Sequence, residues 1–190
     1  MTFEEYLSNM KSGYTVDGGS EDHLIMHELS QRALKITMEL NNKYHTKEEI
    51  VQLMSELTGQ KIDESFGMFP PFYTDCGRNI HIGNNVFIGA NTTIEIGTIG
   101  ITMIEDNVKV DDLVQIGHNS STGMNTLITV GSILCGGVVV EENCYVAPNV
   151  TIREKVHVAR NSFLGMGTVV IRDVDAGSTI IGNPGKLLIK

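Results

Sequence analysis

From Ile82 onward an aliphatic residue returns every sixth position, small side chains crowd the places between, and 20 glycines accompany a complete lack of tryptophan. These observations predict a mainly β fold, a parallel β-helix of three-sided coils, preceded by an N-terminal helical segment. A period of two makes an ordinary strand and a period near 3.6 makes a helix. A period of six fits a short strand plus a corner, repeated so that equivalent residues stack. Three such sides close a coil of about 18 residues, large aliphatics filling the middle.

The helical segment comes first, over residues 1–70. Ser20-Glu21-Asp22 is an N-terminal signal with acids in the first turn, and Leu24, Met26, His27, Leu29, Leu34, Ile36, Met38 and Leu40 follow at helical density. Asn41-Asn42 reads as a stop. Thr46-Lys47-Glu48-Glu49 has the form of a capping box before Ile50, Leu53, Met54 and Leu57, and Gly59 ends that second helix. Phe69-Pro70-Pro71-Phe72 cannot continue a helix and marks the boundary with the β domain, 71–190.

In the β domain the inward positions are Ile82, Ile88 and Ile94, then, after an offset of ten, Ile104, Val110, Ile116, Thr122, Ile128, Leu134, Val140, Val146, Ile152, Val158, Leu164 and Val170. Only Thr122 is not aliphatic. Fifteen hexads make five coils, roughly 24 Å tall at about 4.8 Å per coil. The four extra residues around Gly97-Thr98-Ile99-Gly100 must bulge outward as a loop.

Composition excludes several classes of function. Fourteen Lys plus Arg against 23 Asp plus Glu gives −9, which argues against a nucleic-acid partner. No apolar run approaches 18 residues and no charged-then-apolar leader follows Met1, so no membrane partner and a cytoplasmic location are expected. Cys76, Cys135 and Cys144 are odd in number and include no C-x-x-C, as for thiols in a reducing compartment. Residues 1–152 hold 8 basic and 20 acidic side chains, net −12; residues 153–190 hold 6 and 3, net +3. A basic end on an acidic protein suits a phosphorylated small molecule, although on charge alone a solvated tail is the favoured explanation.

The hexads resemble those of the hexapeptide-repeat acyltransferases, and the resemblance covers about residues 78–185. It implies a left-handed parallel β-helix that assembles as a homotrimer. Pro71-Phe72-Tyr73-Thr74-Asp75-Cys76-Gly77, Asn79-Ile80-His81-Ile82-Gly83 and the ending Gly182-Asn183-Pro184-Gly185-Lys186 are similar to the maltose and galactoside O-acetyltransferase branch, with Gly185 where that branch has Ala. The centre departs from it, since the chain has no His-Pro. Asp111-Asp112-Leu113-Val114-Gln115-Ile116-Gly117-His118-Asn119 instead resembles the nucleotide-sugar and lipid A N-acyltransferases, where D-x-L-V-Q-I-x-H-N carries the catalytic His.

Acyl transfer from a thioester needs a base for the attacking group and a donor for the oxyanion. His118 falls two residues after Ile116, at a corner, where its ring points outward. Gly136 stands 18 residues on, one coil up, and its bare backbone leaves the N–H accessible. The N-acyltransferase resemblance implies such a glycine N–H. Asp111, Asp112 or Asn119 could fix the tautomer of His118 by accepting from its other ring nitrogen. By resemblance, the acyl donor acetyl-CoA lies along Gly136, Ala147 and Gly165, with Arg172 and Lys186 near its phosphates. Asp75, Asn91 and Glu95 then sit where acceptor-sugar contacts lie.

The function expected is transfer of an acetyl group from acetyl-CoA to a sugar hydroxyl. The alternatives are N-acetylation of an amino sugar, free or nucleotide-linked, and a non-catalytic β-helix scaffold. A zinc hydratase on the same prism would need an H-x-x-x-x-H pair, but Leu113 and Gly123 stand five residues either side of His118, so no metal is expected.

Overall fold

The computed structural model describes Glu5, Tyr6, Ser8 and residues 16–97 and 100–188. Among the described residues, two helices with defined bounds precede the β domain. Helix α1 (Glu21–Asn41) starts at Ser20, whose side chain accepts the His23 N–H. Helix α2 (Lys47–Thr58) starts on a reciprocal capping box between Thr46 and Glu49 and ends at Gly59, φ 72°. Ala33, Ile36 and Leu40 of α1 are buried, as are Met54 and Leu57 of α2; Leu24, Leu34 and Met38 face outward. Asn41 ties α1 to the first coil, donating from Nδ2 to the Phe72 carbonyl and accepting the Phe72 N–H, both at 2.9 Å.

Nineteen short strands form the β domain. One sheet holds β1 (Gly67–Met68), β4 (Phe87–Ile88), β7 (Lys109–Val110), β10 (Leu127–Ile128), β13 (Tyr145–Val146), β16 (Phe163–Leu164), β18 (Thr179–Ile181) and β19 (Lys186–Leu187). The second holds β2 (Phe72–Tyr73), β5 (Thr92–Ile94), β8 (Gln115–Ile116), β11 (Ile133–Leu134), β14 (Thr151–Ile152) and β17 (Val169–Val170). The third holds β3 (Ile80–Ile82), β6 (Thr102–Ile104), β9 (Ser121–Thr122), β12 (Val139–Val140) and β15 (His157–Val158). Pairing is parallel throughout except between β18 and β19, which close the C-terminal end as a hairpin.

The register follows the hexads. Val110, Ile128, Val146 and Leu164 stack at 18-residue steps, as do Ile116, Leu134, Ile152 and Val170. Ile82 pairs with Ile104, Ile88 with Val110 and Ile94 with Ile116, steps of 22, so the extra four residues fall between β5 and β6. Of the expected bulge, Thr98 and Ile99 lie outside the described residues. There are about six coils rather than five. The additional strands are β1 and β2, ahead of the fifteen hexads, where Met68 and Phe72 are buried without six-residue spacing, and β18 after them. Pro70-Pro71, read as a boundary before the coils, turns the corner between β1 and β2.

The inward residues form one core that continues into the helices through Phe66, Leu57 and Leu40. Thr122 is fully buried among them and its Oγ1 has no hydrogen-bond partner. That hydroxyl carries a desolvation cost a methyl group would not. The corner from the third sheet back to the first is held differently. Asn85, Asn107, Asn125, Asn143 and Asn161 take φ of 52–61° there, a left-handed conformation asparagine tolerates. Side-chain amides bond Asn85 to Asn107, Asn107 to Asn125 and Asn125 to Asn143 at 2.9–3.1 Å.

Candidate active site

The three corners stack into three edges, and the edge between the second and third sheets carries His118 and Gly136. His118 follows β8 on this edge and is exposed, so its ring points outward. Gly136 lies directly above. A Cβ placed on Gly136 would stand 2.4 Å from His118 Nε2 and 2.6 Å from Cε1, so the imidazole rests against the bare glycine. The Gly137 N–H donates to the His118 carbonyl at 2.7 Å, locking the two corners together. Among the described residues no protein atom accepts the Gly136 N–H.

Two neighbours hold His118 in place. Glu95, one coil below, accepts the His118 backbone N–H on Oε2 at 3.1 Å, and Gln115 Nε2 donates to Oε1 at 2.7 Å. Asn119, at φ 58°, has its side-chain Nδ2 3.0 Å from His118 Nδ1. The Gly100 N–H donates to Asn119 Oδ1 at 3.0 Å, which turns the NH2 group toward the ring. Nδ1 is therefore an acceptor, and the neutral imidazole carries its proton on Nε2. Asn119 touches the ring as expected but with the opposite polarity: it donates where acceptance was expected.

Asp111 and Asp112 do not orient His118. Asp112 is on the edge between the first and second sheets, where Oδ1 accepts the Ala90 N–H at 2.7 Å; Asp111 Oδ1 accepts the Asp112 N–H at 2.9 Å. Asp75 and Glu95 do share the edge of His118. Asp75 Oδ1 accepts the Ile96 N–H at 2.9 Å, so both carboxylates brace corners. Asn91 is on the other edge at φ 58°, its N–H donating to the Pro71 carbonyl at 2.7 Å.

The residues assigned to the donor divide in the same way. Arg172 lies on the edge of His118, three coils higher, a rise of roughly 14 Å at about 4.8 Å per coil. It shares a depression of about 310 Å³ with Lys186, Asp173, Ser178 and Ile180. Ala147 and Gly165 stack on each other but on the edge of Asp112 and Asn91, so they do not form a ladder above His118. Gly165 is moreover covered, since a Cβ there would stand 2.9 Å from Ile181 Cγ2.

Cys135 stands just before Gly136. Burial and then the Glu154 carboxylate push its thiol above the usual range, which favours the unreactive neutral form. Among the described residues no group of three His, Cys, Asp or Glu side chains could hold a metal ion. Nor is any described helix long and apolar enough to cross a membrane.

Sequence reasoning missed the bracing role of Glu95 and the parts of Gly100 and Thr102. Thr102 Oγ1 accepts the Asn119 N–H at 3.0 Å. The signal for Glu95 was present, because 95 and 117 are adjacent-coil equivalents once the step of 22 is applied.

No protein-family model matches the chain. It is 50% identical over 58 residues to a UDP-3-O-acylglucosamine N-acyltransferase of Cytophaga hutchinsonii, covering 30% of this chain and 17% of that protein. It is 34% identical over 106 residues to a probable UDP-3-O-acylglucosamine N-acyltransferase of Arabidopsis thaliana, covering 56% of this chain and 35% of that one. The chain thus spans about a third or less of the length of these curated relatives. Among solved structures, a maltose O-acetyltransferase from Clostridium difficile 630 superposes with TM-score 0.68 at 20% identity, covering 97% of this chain and 96% of that one. The resemblance to hexapeptide-repeat acyltransferases carried by the sequence motifs thus recurs in both the sequence matches and the fold.

Proposed function

We propose that this chain transfers an acetyl group from acetyl-CoA to a hydroxyl of a sugar or similar small acceptor. One observation carries the reading: the outward ring of His118 rests against Gly136, whose N–H has no acceptor among the described residues. A thioester carbonyl placed there would meet a hydrogen-bond donor on one side and an imidazole on the other.

In this mechanism His118 takes the proton from the acceptor O–H as the oxygen attacks the thioester carbon. The Gly136 N–H donates to the oxyanion of the tetrahedral intermediate. The intermediate then collapses with cleavage of the C–S bond, and the imidazolium returns the proton to the departing thiolate. No acyl-enzyme forms, in keeping with the raised Cys135 thiol. For Nε2 to accept the proton, Nδ1 must carry the ring proton, and the Asn119 amide turns so that Oδ1 accepts it, giving up its hydrogen bond from the Gly100 N–H.

Arg172 and Lys186 would hold the donor's phosphates at the depression they share, three coils above the acyl group. Asn91, Ala147 and Gly165 belong to another edge, so a cleft using them with His118 requires a second copy of the chain. A homotrimer is therefore part of the proposal. A second reading, transfer to the amine of an amino sugar or nucleotide-linked amino sugar, draws on the names of the matched relatives.

The test is release of free thiol from acetyl-CoA against panels of sugars and amino-sugar nucleotides. Release that depends on a hydroxyl acceptor is expected. Release only with amines would select the second reading, and none with any acceptor, together with no thermal stabilisation by acetyl-CoA, would favour a scaffold. A ligand at 100 times its Kd should add about 2.7 kcal/mol of stability.

A further inference from the structure

Three corners of this helix share a device for covering backbone amides. At these corners the residue just past the inward position is a glutamate that reaches up to the N–H of the residue two past the inward position in the next coil. Glu95 covers His118 in this way at 3.1 Å, Glu105 covers Met124 at 3.0 Å and Glu141 covers Arg160 at 2.8 Å. Gly117 occupies the same place beneath Gly136 and has no side chain with which to do so.

Backbone conformation does not demand glycine there. Gly117 does not adopt a left-handed φ, and Glu95, Thr129, Cys135, Ala147 and Arg153 occupy equivalent positions after their own strands. What glycine supplies is space, for a Cβ on Gly117 would stand 2.7 Å from the Gly136 nitrogen. The same vacancy recurs once in that coil, at Gly123 beneath Glu142, where a Cβ would stand 2.5 Å from the Glu142 nitrogen. The neighbour of Gly123 is Met124 rather than a histidine, so the open amide there has no base beside it.

We propose that Gly117 is a positioning residue for the acyl donor: by omitting the amide cover used at other corners, it keeps the Gly136 N–H open to the thioester oxygen beside His118. The proposal rests on the acyl-transfer reading above and adds a residue to it.

The test compares Gly117→Glu with Gly123→Glu, each installing the side chain that covers an amide at Glu95, Glu105 and Glu141. Hydrogen exchange at the Gly136 amide, kcat, donor KM and Tm are measured for both. Gly117→Glu is expected to slow Gly136 exchange at least tenfold and to lower kcat by about 10²–10³, the loss typical of removing one oxyanion donor, with donor KM changed only a few-fold. Gly123→Glu is expected to leave Gly136 exchange and kcat unchanged. Should the glutamate variant not fold, Gly117→Ala, which places at 117 the residue found at the equivalent positions 147 and 159, should show the same ordering with a smaller loss. Unchanged Gly136 exchange, or full kcat in Gly117→Glu while His118→Ala is inactive, would overturn this role for Gly117 alone. Full turnover in His118→Ala would instead remove His118 from the mechanism on which this role rests, and no thiol release by the unaltered protein with any acceptor would remove the acyl-transfer reading.

Discussion

Replacing His118 by alanine is expected to lower turnover by about 10²–10⁴, the usual contribution of a general base, while leaving donor binding nearly intact. The ring is exposed and makes its side-chain hydrogen bond to Asn119, not to the prism core. Its backbone N–H bond to Glu95 survives truncation. Folding stability should therefore change little, and a loss of kcat in a protein of unchanged Tm would isolate the chemistry. Steady-state thiol release beside a thermal melt measures both. Near-full turnover would remove His118 from the mechanism.

Gly136→Ala is expected to lower turnover by about 10²–10³ for a different reason. Its φ is not left-handed, so the backbone accepts alanine. The new methyl group, however, would stand 2.4 Å from His118 Nε2. The exposed imidazole is the part free to swing away, and in doing so it leaves both the amide and the Asn119 contact. If that rearrangement costs about 1 kcal/mol, Tm falls by only about 2–4 °C for a chain of this size. Activity and stability thus separate, and a variant that keeps its turnover would show that the ring need not rest on Gly136.

The six-residue period made most of this arrangement legible. It fixes which residues face inward, and steps of 18 put His118 under Gly136 and Arg172 on the same edge. Ala147 and Gly165 were assigned to that ladder by resemblance, although their offsets from His118, 29 and 47 residues, are not multiples of 18. Position arithmetic alone places them on another edge. Strands β1 and β2 were hidden because Met68 and Phe72 do not keep the period, and because a Pro-Pro pair that forbids a helix serves equally well as a β corner.

The site was less legible than the fold because its details depend on contacts between coils. Asn119 presents its NH2 group to His118 only because Gly100, beside the insertion between β5 and β6, claims the carbonyl oxygen. Nothing in the local spacing of Asn119 reveals that polarity. Asp75 and Glu95 look like acceptor ligands along the chain, but each covers a backbone amide one coil above. An acid at a corner of such a helix has a structural task available before any substrate arrives.

The central claim is that the donor's acyl oxygen binds between His118 and the Gly136 amide, and an NMR titration of the isotope-labelled protein with acetyl-CoA addresses it most directly. The Gly136 amide and His118 imidazole resonances should move together and saturate with the same Kd, while the Glu142 amide above Gly123 stays in place. Saturable binding that leaves both Gly136 and His118 unmoved would contradict the account.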